Sequence, residues 1–254
     1  MISYIRKRAL LFIILIYFVL LLLAGLAEDI ELYVVLVTLF YTLLVVLPWL
    51  IWQVVRAIRL RKELKQTELQ HLKSQVNPHF FFNTLNLLYG TIDKDRELAK
   101  DIILKLSDLM RYSIYDGQND LVSVSEEVTY LRQYIELQKA RFRRKMNISL
   151  DTEIENEGYK VMPLLFIILV ENAFKHGAEN LRKGAFIKMQ LNANEKSIEF
   201  QIENNFDPER EVESGGLGLQ NLRRRLELGY PKSHSFSESF EDNIYRAKLT
   251  LKTQ

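Results

Sequence analysis

Two stretches near the N-terminus are apolar at every position rather than at periodic ones. Residues 9–27 read ALLFIILIYFVLLLLAGLA and residues 32–55 read LYVVLVTLFYTLLVVLPWLIWQVV, neither with a charged side chain. Each is long enough, at about twenty helical residues, to cross the hydrocarbon core of a bilayer. The first also has the make-up of a cleaved signal peptide, basic at Arg6, Lys7 and Arg8 and small at Ala24, Gly25 and Ala27. A second span follows after only Glu28, Asp29, Ile30 and Glu31, which favours a hairpin with a tight acidic loop. Trp49 and Trp52 sit near one end of the second run, and Arg56, Arg59, Arg61 and Lys62 follow it. Basic residues outside both ends of the pair predict a multi-pass anchor with both termini in the cytoplasm.

Beyond the membrane the pattern becomes periodic. Residues 56–75 are rich in Arg, Lys, Glu, Gln and Leu without a helix breaker, which predicts a stalk continuing the second span. Leu69, Leu72, Val76, Phe80, Asn83 and Leu87 recur at three- and four-residue steps. That stripe suits a dimer seam or an amphipathic helix lying on its own domain. A further helix is predicted over 97–115, broken by Asp116, Gly117, Asn119 and Asp120. Ser123 or Ser125 then caps a helix that opens with Glu126 and Glu127 and ends near Lys145.

After Met146 the period changes to two. Ile148, Leu150, residues 185–192, residues 197–203 and residues 244–251 alternate like half-buried strands, while 161–179 and 217–228 read as helices. The expected architecture is a membrane helical hairpin over 1–55, a stalk and helical dimerisation region over 56–145, and an α/β sandwich over 146–254 with one sheet face covered by helices. The formal net charge of +2 says little, and the absence of cysteine excludes only a disulfide framework. No basic stripe with interleaved aromatics appears, so no direct nucleic-acid binding is expected.

Three constellations carry candidate chemistry. In LKSQVNPHFFFNTLN, residues 72–86, Pro78 either kinks a helix at a cost of about 3 kcal/mol or ends one helix and starts the next. His79 offers a neutral nitrogen nucleophile near neutral pH, or its ring packs among Phe80, Phe81 and Phe82. In LVENAFKHG, residues 169–177, Asn172 and His176 share a helix face with Lys175 beside them. Amide and acid oxygens suit Mg²⁺ and a lysine suits phosphate, while a polar helix end with Gly177 as its cap is the plainer account. In SGGLGLQN, residues 214–221, Gly215, Gly216 and Gly218 run into a helix whose free N–H groups suit phosphate oxygens. The stretch matches neither the P-loop nor the dinucleotide fingerprint.

Five segments in order, NPHFFFNTLN, LMRYSIY, YIELQKARF, VENAFKHG and GGLGLQNLRRRLELGYP, resemble the LytS/YehU-type sensor histidine kinase family. The resemblance covers about Leu69 to Leu251 and implies a His-containing helical domain joined to a GHKL-type (Bergerat) ATPase domain using ATP and Mg²⁺. It implies His79 as phospho-acceptor, with Asn83 orienting it, and Glu171 orienting water or metal. Asn172 becomes the Mg²⁺ ligand, Lys175 a phosphate contact, and Gly216 and Gly218 the phosphate side of the ATP lid. His176, Leu219 and Asn221 lie in the same two nucleotide-binding segments and are carried over with them.

The implied protein is a homodimer in the bacterial inner membrane that passes phosphate to a response regulator, one with a LytTR-type DNA-binding domain by association. Two positions depart from wider patterns. IENNFD places Asn204 and Phe206 where many GHKL domains carry the adenine-binding aspartate and a glycine, and Phe80 replaces an acidic residue after the histidine. Asn204 retains an acceptor oxygen without the charge. These departures motivate the alternative of a degenerate membrane scaffold without kinase activity.

Overall fold

The computed structural model describes residues 14–15, 17–19, 30–73, 78–142, 146–178, 181, 184–207 and 216–253. The chain forms two compact units, Met1–Gln66 and Thr67–Gln254.

In the first unit the second apolar run is helical, as α1 (Ile30–Tyr41), a wider π turn (Thr42–Val46) and the start of α2 (Leu47–Lys73). Thr38 and Thr42 return their hydroxyls to carbonyls four residues back, which satisfies both groups within the helix. Residues 33–69 are the only described helix long and apolar enough to cross a membrane, and almost none of the apolar surface is covered by protein. Most of the first apolar run lies outside the described residues. Tyr17, within it, is helical and its ring lies 4.6 Å from that of Tyr41.

The second unit begins with helices. α3 (Pro78–Thr91) starts at the proline, whose fixed φ and missing N–H cost nothing at a first helical position. The choice between a kink and a break before it falls on residues 74–77, which lie outside the described residues. Phe80 is buried, and Leu69 and Leu87 pack against the same core, so this part of the apolar stripe is spent within the chain rather than on a dimer seam.

α4 (Arg96–Ile114) is capped by Asp95, whose carboxylate accepts from the Leu98 N–H. β1 (Val122–Ser123) leads into α5 (Val124–Arg141), where Ser123 and Glu126 form a reciprocal capping box. α5 ends at Arg141, earlier than the expected Lys145, and residues 143–145 lie outside the described set.

A mixed sheet follows, in the order β2-β4-β5-β7-β6. β2 (Asn147–Ile154) runs parallel to β4 (Phe186–Ala193); β5 (Ser197–Asn205), β7 (Ile244–Lys252) and β6 (His234–Glu241) continue it antiparallel. β3 (Lys160–Val161) pairs with β1. α6 (Ile167–Ala173), a π turn (Phe174–Ala178) and α7 (Leu217–Gly229) complete the layer.

The buried face of the sheet supplies Ile187, Met189, Phe200, Ile202 and Leu249 to a core continuous with Ile102, Leu109 and Leu131 of the helices. The other face is polar. Lys188 and Arg246 flank Glu203 across the register at 3.3 and 3.4 Å.

One expectation needs correction. Residues 161–179 are not one helix: Leu164 takes a φ of 55° and helix begins only at Ile167. Buried Glu127 fixes that turn by accepting the N–H groups of Leu164 (2.6 Å) and Leu165 (3.2 Å) and the Tyr112 hydroxyl (2.8 Å). Arg225 from α7 donates to the Pro163 and Leu164 carbonyls beside it. Burial pushes the Glu127 carboxyl upward and its three donors pull it back, while burial lowers Arg225 to about 10. The sheet also holds a strand that the alternation did not predict: His234 opens the edge strand β6, and its Nδ1 lies 2.8 Å from the Tyr230 carbonyl oxygen.

Candidate active site

His79 occupies the first turn of α3 and is exposed, so its ring does not pack among the three phenylalanines. Phe80 is buried with its ring 4.5 Å from Tyr134 of α5, Phe81 packs partly against the same core, and Phe82 stays exposed. One turn further on, Asn83 brings its amide nitrogen to 3.2 Å from Nδ1 and 3.1 Å from Nε2 of His79. The pair is local, set by the i,i+4 spacing of a helix.

The second group comes from the end of α6. Glu171 and Asn172 are half-buried there, and the π turn that follows carries exposed Lys175 and half-buried His176. Gly177 closes that turn against Asn204: a Cβ at this position would meet Asn204 Nδ2 at 2.5 Å and the Asn205 carbonyl at 2.8 Å. Its glycine therefore serves close packing rather than the expected cap: Phe174 caps α6, and Gly177 lies within the π turn that follows.

The third group is Gly216 and Gly218 at the start of α7. Gly216 is the N-cap and offers no side chain; its carbonyl takes the Leu219 N–H at 2.9 Å, and the Leu217 and Gly218 N–H groups meet no side-chain cap among the described residues. A Cβ at Gly216 would meet nothing within 4 Å, and one at Gly218 only Ile168 Cγ2 at 3.8 Å. Protein packing does not require glycine at either position. Ser214 and Gly215 fall outside the described residues.

These three groups line one cavity of about 390 Å³, shared by His79, Glu171, Asn172, Lys175, His176, Gly216 and Gly218. Asn204, Leu219 and Asn221 are not among its lining residues. Leu219 is buried in the core, and Asn221 is half-buried on α7. Asn204 is buried in β5; its Nδ2 donates to the Asn205 carbonyl at 3.1 Å, and its Oδ1 has no partner among the described residues. Phe206 packs edge-on against Phe240 at 6.1 Å.

Sequence reasoning assigned no role to Tyr134, Gln138 and Arg141, which also line the cavity. The signal was present in YIELQKARF, whose residues 134, 138 and 141 recur at helical spacing.

The residues fit the group that the glycine turn and Asn172 suggest, a nucleotide with its metal. The orphaned Asn204 oxygen can accept an amino N–H, and the open glycines leave room for phosphate. Asn172 and Glu171 present oxygens of the kind Mg²⁺ takes when phosphates fill its other positions. No cluster of three His, Cys, Asp or Glu exists among the described residues.

An acceptor-like histidine beside a glycine-opened, anion-ready cavity on an α/β sandwich is the arrangement of a histidine kinase, and residues 67–146 match the family described as Histidine kinase. Over 185 residues the chain is 31% identical to "Sensor protein LytS" of Staphylococcus saprophyticus, spanning 67% of this chain and 31% of that one. It is 30% identical over 178 residues to "Sensor protein LytS" of Enterococcus faecalis, covering 65% and 30%. It is also 30% identical over 186 residues to "Sensor histidine kinase/phosphatase LytS" of Staphylococcus aureus MRSA252, covering 68% and 32%. The chain belongs to the LytS-type sensor histidine kinases, and it spans about a third of the length of these curated relatives. "Acinetobacter baumannii histidine kinase AdeS" overlays 65% of this chain and 84% of its own at 14% identity and a TM-score of 0.39, too loosely to carry an inference.

Proposed function

We propose that the protein is a membrane-anchored sensor histidine kinase that phosphorylates itself on His79 and passes the group to an aspartate of a response regulator. The supporting observation is the single cavity that collects His79 with Asn172, Lys175, Gly216 and Gly218. Bound ATP supplies the γ-phosphoryl group, and Mg²⁺ supplies the charge neutralisation this chemistry relies on. Asn172, aided by Glu171, holds the metal; Lys175 and the α7 N–H groups hold phosphate oxygens. Asn83, whose amide nitrogen lies within 3.2 Å of both ring nitrogens, orients the imidazole. Asn204 offers its unpaired oxygen to the adenine amino group.

The helix over 33–69 supports an inner-membrane anchor, which we read as a two-span hairpin with both termini in the cytoplasm. Homodimerisation is supported by apolar side chains left exposed on α3 and α4, among them Phe82, Leu85, Tyr89 and Leu104. The regulator is expected to carry a LytTR-type DNA-binding domain.

Incubating the full chain in detergent micelles with Mg²⁺ and γ-labelled ATP tests the reading. Alkali-stable, acid-labile label that moves to a response regulator is expected. Nucleotide binding without label would instead select the scaffold alternative. Asn172→Asp is expected to impair use of Mg²⁺-ATP while leaving the fold intact, as judged by circular dichroism.

A further inference from the structure

We propose that Arg141 is a catalytic residue of the phosphoryl transfer, supplying from the acceptor side the guanidinium that meets the moving phosphoryl group. The inference rests on the kinase reading above. Arg141 lines the same cavity as His79, Asn172 and Lys175, yet it comes from α5, the helix on which the His79 helix packs. Lys175 approaches that space from the nucleotide side, on the turn after α6. A cation on each side flanks the space in which a phosphoryl group changes partners.

The side chain is held there by a relay that starts next to His79. Phe80 stacks at 4.5 Å on Tyr134, whose hydroxyl accepts from Gln138 Nε2 at 2.7 Å. Gln138 is buried, and its Oε1 accepts from Arg141 Nη1 at 3.2 Å. The guanidinium also lies 4.7 Å over the Phe142 ring, and that ring stacks on Phe174 at 6.4 Å with only 5° between planes. Phe174 opens the turn that carries Lys175. One cluster therefore sets acceptor helix, guanidinium and phosphate-side lysine together.

The chemistry asks for such a group. In the step, the lone pair of a His79 ring nitrogen forms the N–P bond while the bond from the γ-phosphorus to its bridging oxygen breaks. ADP leaves with that electron pair, and the surplus ring proton passes to solvent. Negative charge spreads over three equatorial oxygens throughout, and a planar, permanently charged fork matches two of them at once. An ammonium supplies charge without that geometry.

The test uses the full chain in detergent, with Arg141→Gln and Arg141→Lys beside wild type. Initial labelling of His79 at saturating Mg²⁺-ATP is compared with nucleotide affinity measured by a fluorescent ATP analogue. Arg141→Gln is expected to slow labelling by about 10³-fold with ATP affinity within about threefold of wild type. Arg141→Lys, which keeps the charge and loses the fork, should fall between them and remain folded if the glutamine variant does not. Labelling at the wild-type rate in either variant, or a loss fully explained by weaker ATP binding, overturns the inference alone. A wild-type chain that binds ATP and takes no label overturns the kinase reading, and this inference with it.

Discussion

In β4 and β5 the side chains alternate cleanly: Ile187, Met189, Phe200 and Ile202 are at most 2% exposed, while Lys188, Gln190 and Glu203 face the opposite side. On α3 and α4 the separation fails, because Phe82, Leu85, Tyr89 and Leu104 remain between 49% and 84% exposed. The sheet completes its burial within one chain. α3 and α4 bury one stripe, through Phe80, Ile102 and Leu109, and leave a second exposed. His79 opens the same helix that bears Phe82, Leu85 and Tyr89, so in the proposed kinase dimerisation and acceptor placement fall to one element.

The contrast sets an order of expected effects. Phe200→Ala removes a fully buried ring from the sheet core and should cost about 3–5 kcal/mol in chemical denaturation. A cost below about 1 kcal/mol would break the distinction between the two regions. Glu127→Ala strips three donors of their acceptor and leaves Arg225 without its counter-charge, for an expected loss of about 3 kcal/mol. Gly177→Ala forces a methyl onto Asn204 and Asn205, so it should destabilise the C-terminal end of the central strand β5 by about 1–3 kcal/mol and weaken nucleotide binding in the same titration. Leu104→Ser sharpens the comparison from the other side. Denaturation of the monomer should move by no more than about 0.5 kcal/mol, while analytical ultracentrifugation in detergent should report weaker dimerisation. The smallest effect is expected for Glu68→Ala, which breaks the solvent-screened bidentate pair with Arg224 at 2.7 and 2.9 Å and should leave the midpoint of chemical denaturation unchanged.

The same contrast explains what could be read from sequence. Alternation is unambiguous where one face is buried and the other wet, so β4 and β5 appear within two residues of their expected bounds. Ser123 with Glu126 announced α5 by a local mechanism. β6 was hidden because it is an edge strand: SFSESFE leaves most of its residues partly or fully exposed, and serines dominate what a reader sees. The turn at Leu164 was hidden for the opposite reason. VMPLLFIILV is apolar without interruption, so no period marks where helix begins, and the strained φ is held by Glu127, almost forty positions earlier. In the site, motifs identified His79, Asn172 and the glycines, but their meeting in one cavity is tertiary. Arg141 stayed unassigned because its position follows from Gln138 and Phe142, not from spacing to His79.

The central claim concerns one imidazole in one cavity. Its most direct test is to label the full chain with γ-labelled Mg²⁺-ATP and locate the phosphate by mass spectrometry under alkaline conditions, in wild type and in His79→Gln. Phosphate on His79 in wild type and none in the variant is the predicted result. Label that persists in His79→Gln, or that sits on another residue of the wild-type chain, would contradict it.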